Sequence, residues 1–405
     1  MVRSDISRRH FAVLGSGLFY WGFLPRLARA ADGRDPRLVI LILRGALDGL
    51  SAVAPLGDPS YSSLHGALAL APEGAAPASR LDSFFALHPA MPAFLRLFLA
   101  KQAAIVHAVA TPYRERSHFD GQDVLESGLS GPGQVTSGWL NRVLEVLPRG
   151  ETVNDRGKAL AVGPTTPLIL RGPAPIMGWA PTGMNAPGDD VAQRLLELYQ
   201  RRDPLLAGAL AQGLGIDKII GRDGREMRPT GGNVIQNMRQ VAQGAAKIFA
   251  ADDGPRIGAL SFDGWDTHFN EGGATGRLAL LLSGLDGAFE EFETTLSSIW
   301  KQTVIVAVTE FGRTVRMNGT TGTDHGTGTV AFLAGGALQG GRVIADWPGL
   351  KPAQLYQNRD LLPTTDLRSV FKGVLADHFG LSKAVLANHV FPGSIGVSPM
   401  KNLIV

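Results

Sequence analysis

The segment Thr303–Val308, TVIVAV, is an unbroken run of β-branched and small apolar residues that stops at polar Thr309 and Glu310. Five apolar positions in a row after Thr303 leave no side for water. The run therefore reads as a parallel strand covered on both faces. Three further runs share the pattern: residues 38–43 (LVILIL), 103–109 (AAIVHAV) and 256–262 (RIGALSF). Between them lie stretches of helical periodicity, such as Met91, Phe94, Leu95 and Phe98, and residues 234–249 and 278–299. Later runs at 330–334 and 341–344 suggest two short strands, and Asp366 caps a last helix ending near Phe379. Strands alternating with helices predict a doubly wound α/β/α sandwich with a mostly parallel sheet.

In such a sheet, ligands and chemistry gather outside the carboxyl ends of the strands. The residues that follow the runs are therefore the candidate site. Asp48 follows the first run on a glycine-flanked turn, Ser117 and His118 follow the second, and Asp266 and His268 follow the third. Glu310 follows the fourth, and a Gly/Thr/Asn-rich loop then brings Asp324 and His325. Asp266 and His268 flank one threonine, so in extended chain both side chains face the same way. Each residue has a plainer reading. Asp48 and Ser117 suit helix N-caps, and Glu310 could form a surface ion pair with Arg313. What favours a site is one placement rule repeated along the chain.

The chain has no cysteine, which excludes disulfides and thiolate metal sites. Any metal must sit on His, Asp and Glu. Asp48, Asp266, His268, Glu310, Asp324 and His325 are the expected ligands of one or two divalent ions, and carboxylate with imidazole suits Zn, Mn or Fe. Ser117, at a predicted helix start, is the candidate nucleophile. Arg114, Arg116 and Arg313 are the candidate partners of a phosphate or sulfate, since guanidinium matches such oxygens in a bidentate way. No Lys/Arg cluster is interleaved with aromatics and the net charge is only +3, so no nucleic-acid partner is expected.

The amino terminus predicts export. Arg8-Arg9 in the stretch Ser7–Phe11 is the pair of a twin-arginine signal. A moderately apolar stretch from Phe11 to Leu24 follows, and Ala28-Arg29-Ala30 fits a small-x-small cleavage site. The apolar stretch is shorter than the ~20 residues of a spanning helix. The expected layout is a signal peptide over 1–30, handled by the twin-arginine translocase, then one domain over 31–405. Its Pro- and Gly-rich middle, about 150–250, is an elaboration. The mature chain is expected in the periplasm without a stable membrane anchor.

The motifs RGALDGLSAVAP, YRERSHFDGQDVLESG, SGWLNR, FDGWDTH, TEFGRT and TDHGTG, with the twin-arginine pair, resemble exported bacterial proteins of the domain-of-unknown-function 1501 family. The resemblance covers nearly all of the chain after residue 30. It implies a fold similar to the alkaline phosphatase and sulfatase superfamily. It also implies that Asp48, Ser117, Asp266 with His268, Glu310 and His325 fill that superfamily's metal and nucleophile positions. The pattern departs from it at Glu310, where Asp is usual, at Phe311, where a second metal expects His, and in the short Asp266–His268 spacing. The expected function is hydrolysis of phosphate or sulfate esters. The alternative is an exported binding or scaffold protein that keeps the fold without turnover.

Overall fold

In a computed structural model of the protein, residues 35–133, 135–147, 159–181 and 233–405 are described, together with positions 196, 199, 207, 208, 210 and 211. The signal peptide expected over 1–30 and much of the elaboration expected over about 150–250 lie outside these residues.

Strand β1 is Arg37–Arg44, followed by the one-turn helix α1, Gly49–Ala52, and by β2, Val53–Ala54. Helix α2, Tyr61–His65, and strands β3, Ser79–Arg80, and β4, Ala86–Leu87, come next. Helix α3, Pro92–Leu99, leads to β5, Ala103–Ala110, then α4, His118–Ser127, and α5, Trp139–Val146. Strands β6, Ala159–Val162, and β7, Ile176–Trp179, precede helix α6, Val234–Ala250. Then come β8, Ile257–Asp263, α7, Arg277–Thr295, and β9, Thr303–Val308. Strands β10, Thr329–Ala334, β11, Arg342–Ile344, and β12, Thr365–Asp366, and helix α8, Leu367–Phe379, complete the set used below.

Among the described residues, nine strands form one sheet in the order β11-β5-β10-β9-β1-β8-β6-β7, with β12 pairing to β5. Strand β10 runs antiparallel to both β5 and β9, and every other pairing is parallel. Since β5 and β9 both oppose β10, they point the same way. The carboxyl ends of β1, β5, β8 and β9 therefore lie along one edge. Strands β2, β4 and β3 make a small separate sheet.

The unbroken apolar runs are explained by two cores. Side chains alternate across a strand, and in β1 Val39, Leu41 and Leu43 join one core while Leu38, Ile40 and Ile42 join the other. The first core is closed by α3, α6 and α7, through Phe94, Ala245 and Phe289 among others. The second is closed by α4, α5 and α8, through Leu125, Trp139 and Val370. Each fully buried Leu, Ile or Phe contributes roughly 1.5–3 kcal/mol, so a solvated face on β1 would be costly. The result is a mixed α/β sandwich of three layers about a mostly parallel sheet. No helix among the described residues is long and apolar enough to cross a membrane.

The sequence did not single out β2, β3 or β4, nor the strands β6 and β7. Only loops or short strands were expected near β6 and β7. At four residues each, they carry too little pattern to stand out from the surrounding Pro and Gly.

Candidate metal centre

His118, Asp266 and His325 come from three different strand ends and offer ligand atoms that all lie within 4.8 Å of one another. His118 opens α4, Asp266 lies three residues past β8, and His325 sits on the loop between β9 and β10. The Nε2 atoms of His118 and His325 are 2.9 Å apart. His268 joins from the other side, its Nε2 3.0 Å from that of His325 and 3.0 Å from Asp266 Oδ1. His325 Nε2 is itself 3.3 Å from Asp266 Oδ1.

The opposite edge of each imidazole decides what these contacts mean. His118 Nδ1 donates to Glu310 Oε1 at 2.8 Å. His325 Nδ1 donates to the Arg116 carbonyl at 3.0 Å. His268 Nδ1 donates to Asp324 Oδ1 at 3.3 Å. The acceptors behind His118 and His325 are oxygens without a hydrogen, which favours a proton on Nδ1 and an inward Nε2 lone pair in these two rings, whereas His268 meets a carboxylate oxygen at both nitrogens, Asp324 Oδ1 at 3.3 Å and Asp266 Oδ1 at 3.0 Å. Lone pairs of His118 and His325 facing at 2.9 Å repel unless a proton or a metal cation lies between them. One proton can satisfy one such contact, but His325 Nε2 has a single lone pair and faces two rings. A divalent ion fits this donor set. Imidazoles held from behind by carboxylates or carbonyls are the usual supports of a metal.

The hydrogen bond to Glu310 raises the His118 pKa against the opposing effect of burial. Burial and the neighbouring His118 and Arg313 lower that of His325. Burial pushes Glu310 up, but hydrogen bonds from His118, Gln122 and Thr309 outweigh it and hold it below the usual range. Asp266 is also pushed up by burial and held low by Arg313 and His268. Asp324 is held low by its bond from Asn318 and by His268.

Glu310 is fully buried. Its Oε1 also accepts from the Gly45 amide at 2.9 Å, and a side chain at Gly45 would put a carbon 2.4 Å from the Asp266 amide. The loops after β1, β8 and β9 therefore lock together at Gly45, which has φ 122°. Buried Phe311 stacks on the His118 ring with centroids 5.0 Å apart, forming an apolar wall. Expected as a ligand, Glu310 instead reaches the centre through His118.

Asp48 takes its plainer reading. It caps α1, accepting from the Leu50 and Ser51 amides, and pairs with buried His65 at 3.4 Å. Burial pushes Asp48 up, yet His65 outweighs it and brings the pKa to about 2. Burial and the Asp48 charge push the carboxyl of nearby Glu271 well above the usual carboxylate range. Asp48 is thus part of a buried polar cluster with Ser51, His65 and Glu271, whose members no sequence pattern marked apart from Asp48 itself.

The three arginines are committed to protein partners, which corrects the expectation that they stand ready for an anion. Arg114 donates to the Thr111 and Tyr113 carbonyls. Arg116 pairs with buried Asp360 at 2.7 Å. Arg313, itself buried, donates to Asp266 Oδ1 at 2.6 Å and to Thr323, and so aims Asp266. The cation missed by the sequence reading is Arg359. It donates to the His325 carbonyl at 2.6 Å and its side chain is 42% exposed. Ser117 is the N-cap residue of α4, next to His118, and its hydroxyl makes no capping bond.

Several solved structures are similar to this chain. A phosphonate monoester hydrolase of Agrobacterium radiobacter is 10% identical, with TM-score 0.37, over 86% of this chain and 74% of that one. A sulfatase from Pseudoalteromonas sp. is 13% identical, with TM-score 0.35, over 84% and 68%. An alkaline phosphatase from the Antarctic bacterium TAB5 is 14% identical, with TM-score 0.31, over 75% and 92%. No curated protein matches the sequence. Residues 35–390 match the family described as "Protein of unknown function (DUF1501)".

Proposed function

The chain belongs to the DUF1501 family, and from that premise we propose that it is an exported metal-dependent hydrolase of phosphate or sulfate esters. One observation carries the metal half of this reading. The Nε2 atoms of His118 and His268 both face that of His325 within 3.0 Å, and Asp266 Oδ1 lies 3.0 Å from His268 Nε2 and 3.3 Å from His325 Nε2. His118, Asp266 and His325 would hold the ion, with His268 completing the set. A bound divalent ion supplies Lewis-acid polarisation of an ester oxygen and lowers the pKa of a coordinated water or hydroxyl.

The ester half is supported by Ser117 and its surroundings. Ser117 precedes His118 at the amino terminus of a ten-residue helix. There the first amides and the dipole favour an anion. In this reading Ser117 supplies the attacking hydroxyl, and Arg359 is the nearby guanidinium with room for a non-transferred oxygen. Asp266 is kept ionised and oriented by Arg313.

A second reading, a binding protein without turnover, is favoured by the commitment of Arg114, Arg116 and Arg313 to protein partners. One experiment separates the two. Protein loaded with zinc or manganese is assayed on aryl phosphate mono- and diesters and aryl sulfates, beside Ser117→Ala. Hydrolysis by the wild type, lost by several orders of magnitude in Ser117→Ala with zinc still bound, supports the hydrolase. Zinc binding without turnover on any ester class favours the binding protein.

Export rests on Arg8-Arg9 and Ala28-Arg29-Ala30. Replacing both arginines by lysine should trap the chain in the cytoplasm. Undiminished export would remove this part of the reading.

A further inference from the structure

His325 is gripped from two segments, one at Arg116, two residues before His118, and one at Arg359. Its Nδ1 donates to the carbonyl of Arg116 at 3.0 Å, and its own carbonyl accepts from Arg359 at 2.6 Å. Arg116 has φ 61°, in the left-handed region that a side-chain-bearing residue seldom adopts. Something must hold it there, and its side chain has three anchors. Asp360 Oδ2 accepts from Nε at 2.8 Å and lies 2.7 Å from Nη2. Gln357 Oε1 accepts from Nη2 at 2.7 Å. The guanidinium carbon also sits 5.7 Å from the centre of the Tyr356 ring.

Asp360 has no exposed surface. A buried ion pair is a poor device for stability, because desolvation offsets the attraction, but it can specify one geometry. Here that geometry includes the backbone at Arg116. Turning Arg116 out of the left-handed region would swing its carbonyl away and leave the His325 ring free to move its proton to Nε2. That nitrogen would then present a hydrogen to the centre instead of a lone pair.

We propose that Arg116 is a positioning residue for His325. Anchored on Asp360, it holds a left-handed backbone whose carbonyl keeps the His325 proton on Nδ1 and the Nε2 lone pair directed at the metal. The inference rests on the metal reading above only for the purpose of that lone pair. It assigns Arg116 a role through its carbonyl, not through contact with substrate.

The test compares Arg116→Ala with Arg116→Gly in the full purified chain. Both lose the guanidinium and leave Asp360 equally with Arg359, 3.7 Å from its Oδ1, as its remaining cation. They differ in the backbone, since glycine adopts positive φ freely whereas alanine needs its surroundings to hold it there, at a cost. The first readout is the His325 tautomer in the zinc-free protein, from ring-nitrogen NMR shifts assigned with His325→Gln. The second is zinc affinity by competition with a chromophoric chelator. Wild type should carry the proton on Nδ1. Arg116→Ala should show mixed tautomers and bind zinc about tenfold or more weakly, the usual cost of losing a support behind a ligand. Arg116→Gly should stay close to wild type in both. If either variant fails to fold, the pair is repeated with Asp360→Asn, which removes the buried charge.

Equal behaviour of the two variants, or a wild-type tautomer in Arg116→Ala, overturns the proposal. A wild type that binds no zinc while its tautomer follows the alanine–glycine order sustains the proposal and removes the metal reading. Zinc binding with an unresponsive tautomer does the reverse.

Discussion

Glu310 accepts the Nδ1 proton of His118 at 2.8 Å, although the two residues are 192 positions apart in the chain. Glu310 ends one strand and His118 begins the helix after another. The bond joins two of the loops at the carboxyl edge, and it makes the glutamate the base behind an imidazole.

Glu310→Gln should therefore weaken zinc binding by about 10–100-fold, the range for an altered support. The amide cannot hold the Nδ1 proton as an ionised carboxylate does. Chelator competition on wild type and variant at one pH measures it. An unchanged dissociation constant would show that His118 needs no such partner.

His325→Ala should abolish tight zinc binding outright, because His325 Nε2 is the atom shared by both histidine contacts. Metal content after dialysis against trace zinc, read by atomic emission, should fall to background. Retention of one equivalent would place the ion elsewhere.

Asp48→Asn should cost about 1–3 kcal/mol of stability, from a weakened cap and a lost partner for buried His65. Zinc affinity should stay within about threefold of wild type, since Asp48 supports no ligand. The pair also has a pH signature. With its pKa brought down to about 2 from an ordinary 3.8, Asp48 contributes stability that is present above 3.8 and lost as pH falls toward 2. Urea unfolding of both proteins across that window should show the wild type losing its advantage. Large loss of zinc in the variant would instead restore Asp48 as a ligand.

Asp286 gives the opposite slope. Burial raises it to about 6, against the pull of the Phe94 and Ala93 amides that it accepts at the start of α3. The folded protein then binds more protons than the unfolded chain between 3.8 and about 6. This group's contribution therefore falls as pH rises through that window, by about 3 kcal/mol at most. Asp286→Asn should flatten the slope in urea titrations from pH 4 to 6.5. An identical slope in both proteins would mean that Asp286 is charged throughout.

The sequence by itself determined the layers and the edge on which polar residues collect. Residues 38–43, 103–109, 256–262 and 303–308 were legible because a strand buried on both faces leaves few polar positions, and the structure has β1, β5, β8 and β9 there. The polar residues after those runs were legible for the same reason, since an abrupt change marks a strand end. What tertiary structure decided was the direction of each side chain. Asp266 meets Arg313 across 47 positions, and Arg116 meets Asp360 across 244. A guanidinium free for substrate and one already paired look alike in sequence. Likewise the Arg116 carbonyl, present in any residue, becomes the support of His325 only through a left-handed turn held by a distant carboxylate. Hydrophobic patterning is local and periodic, so it is written along the chain. The pairing of a polar group depends on which loop arrives opposite it, and that is set only when the sheet has formed.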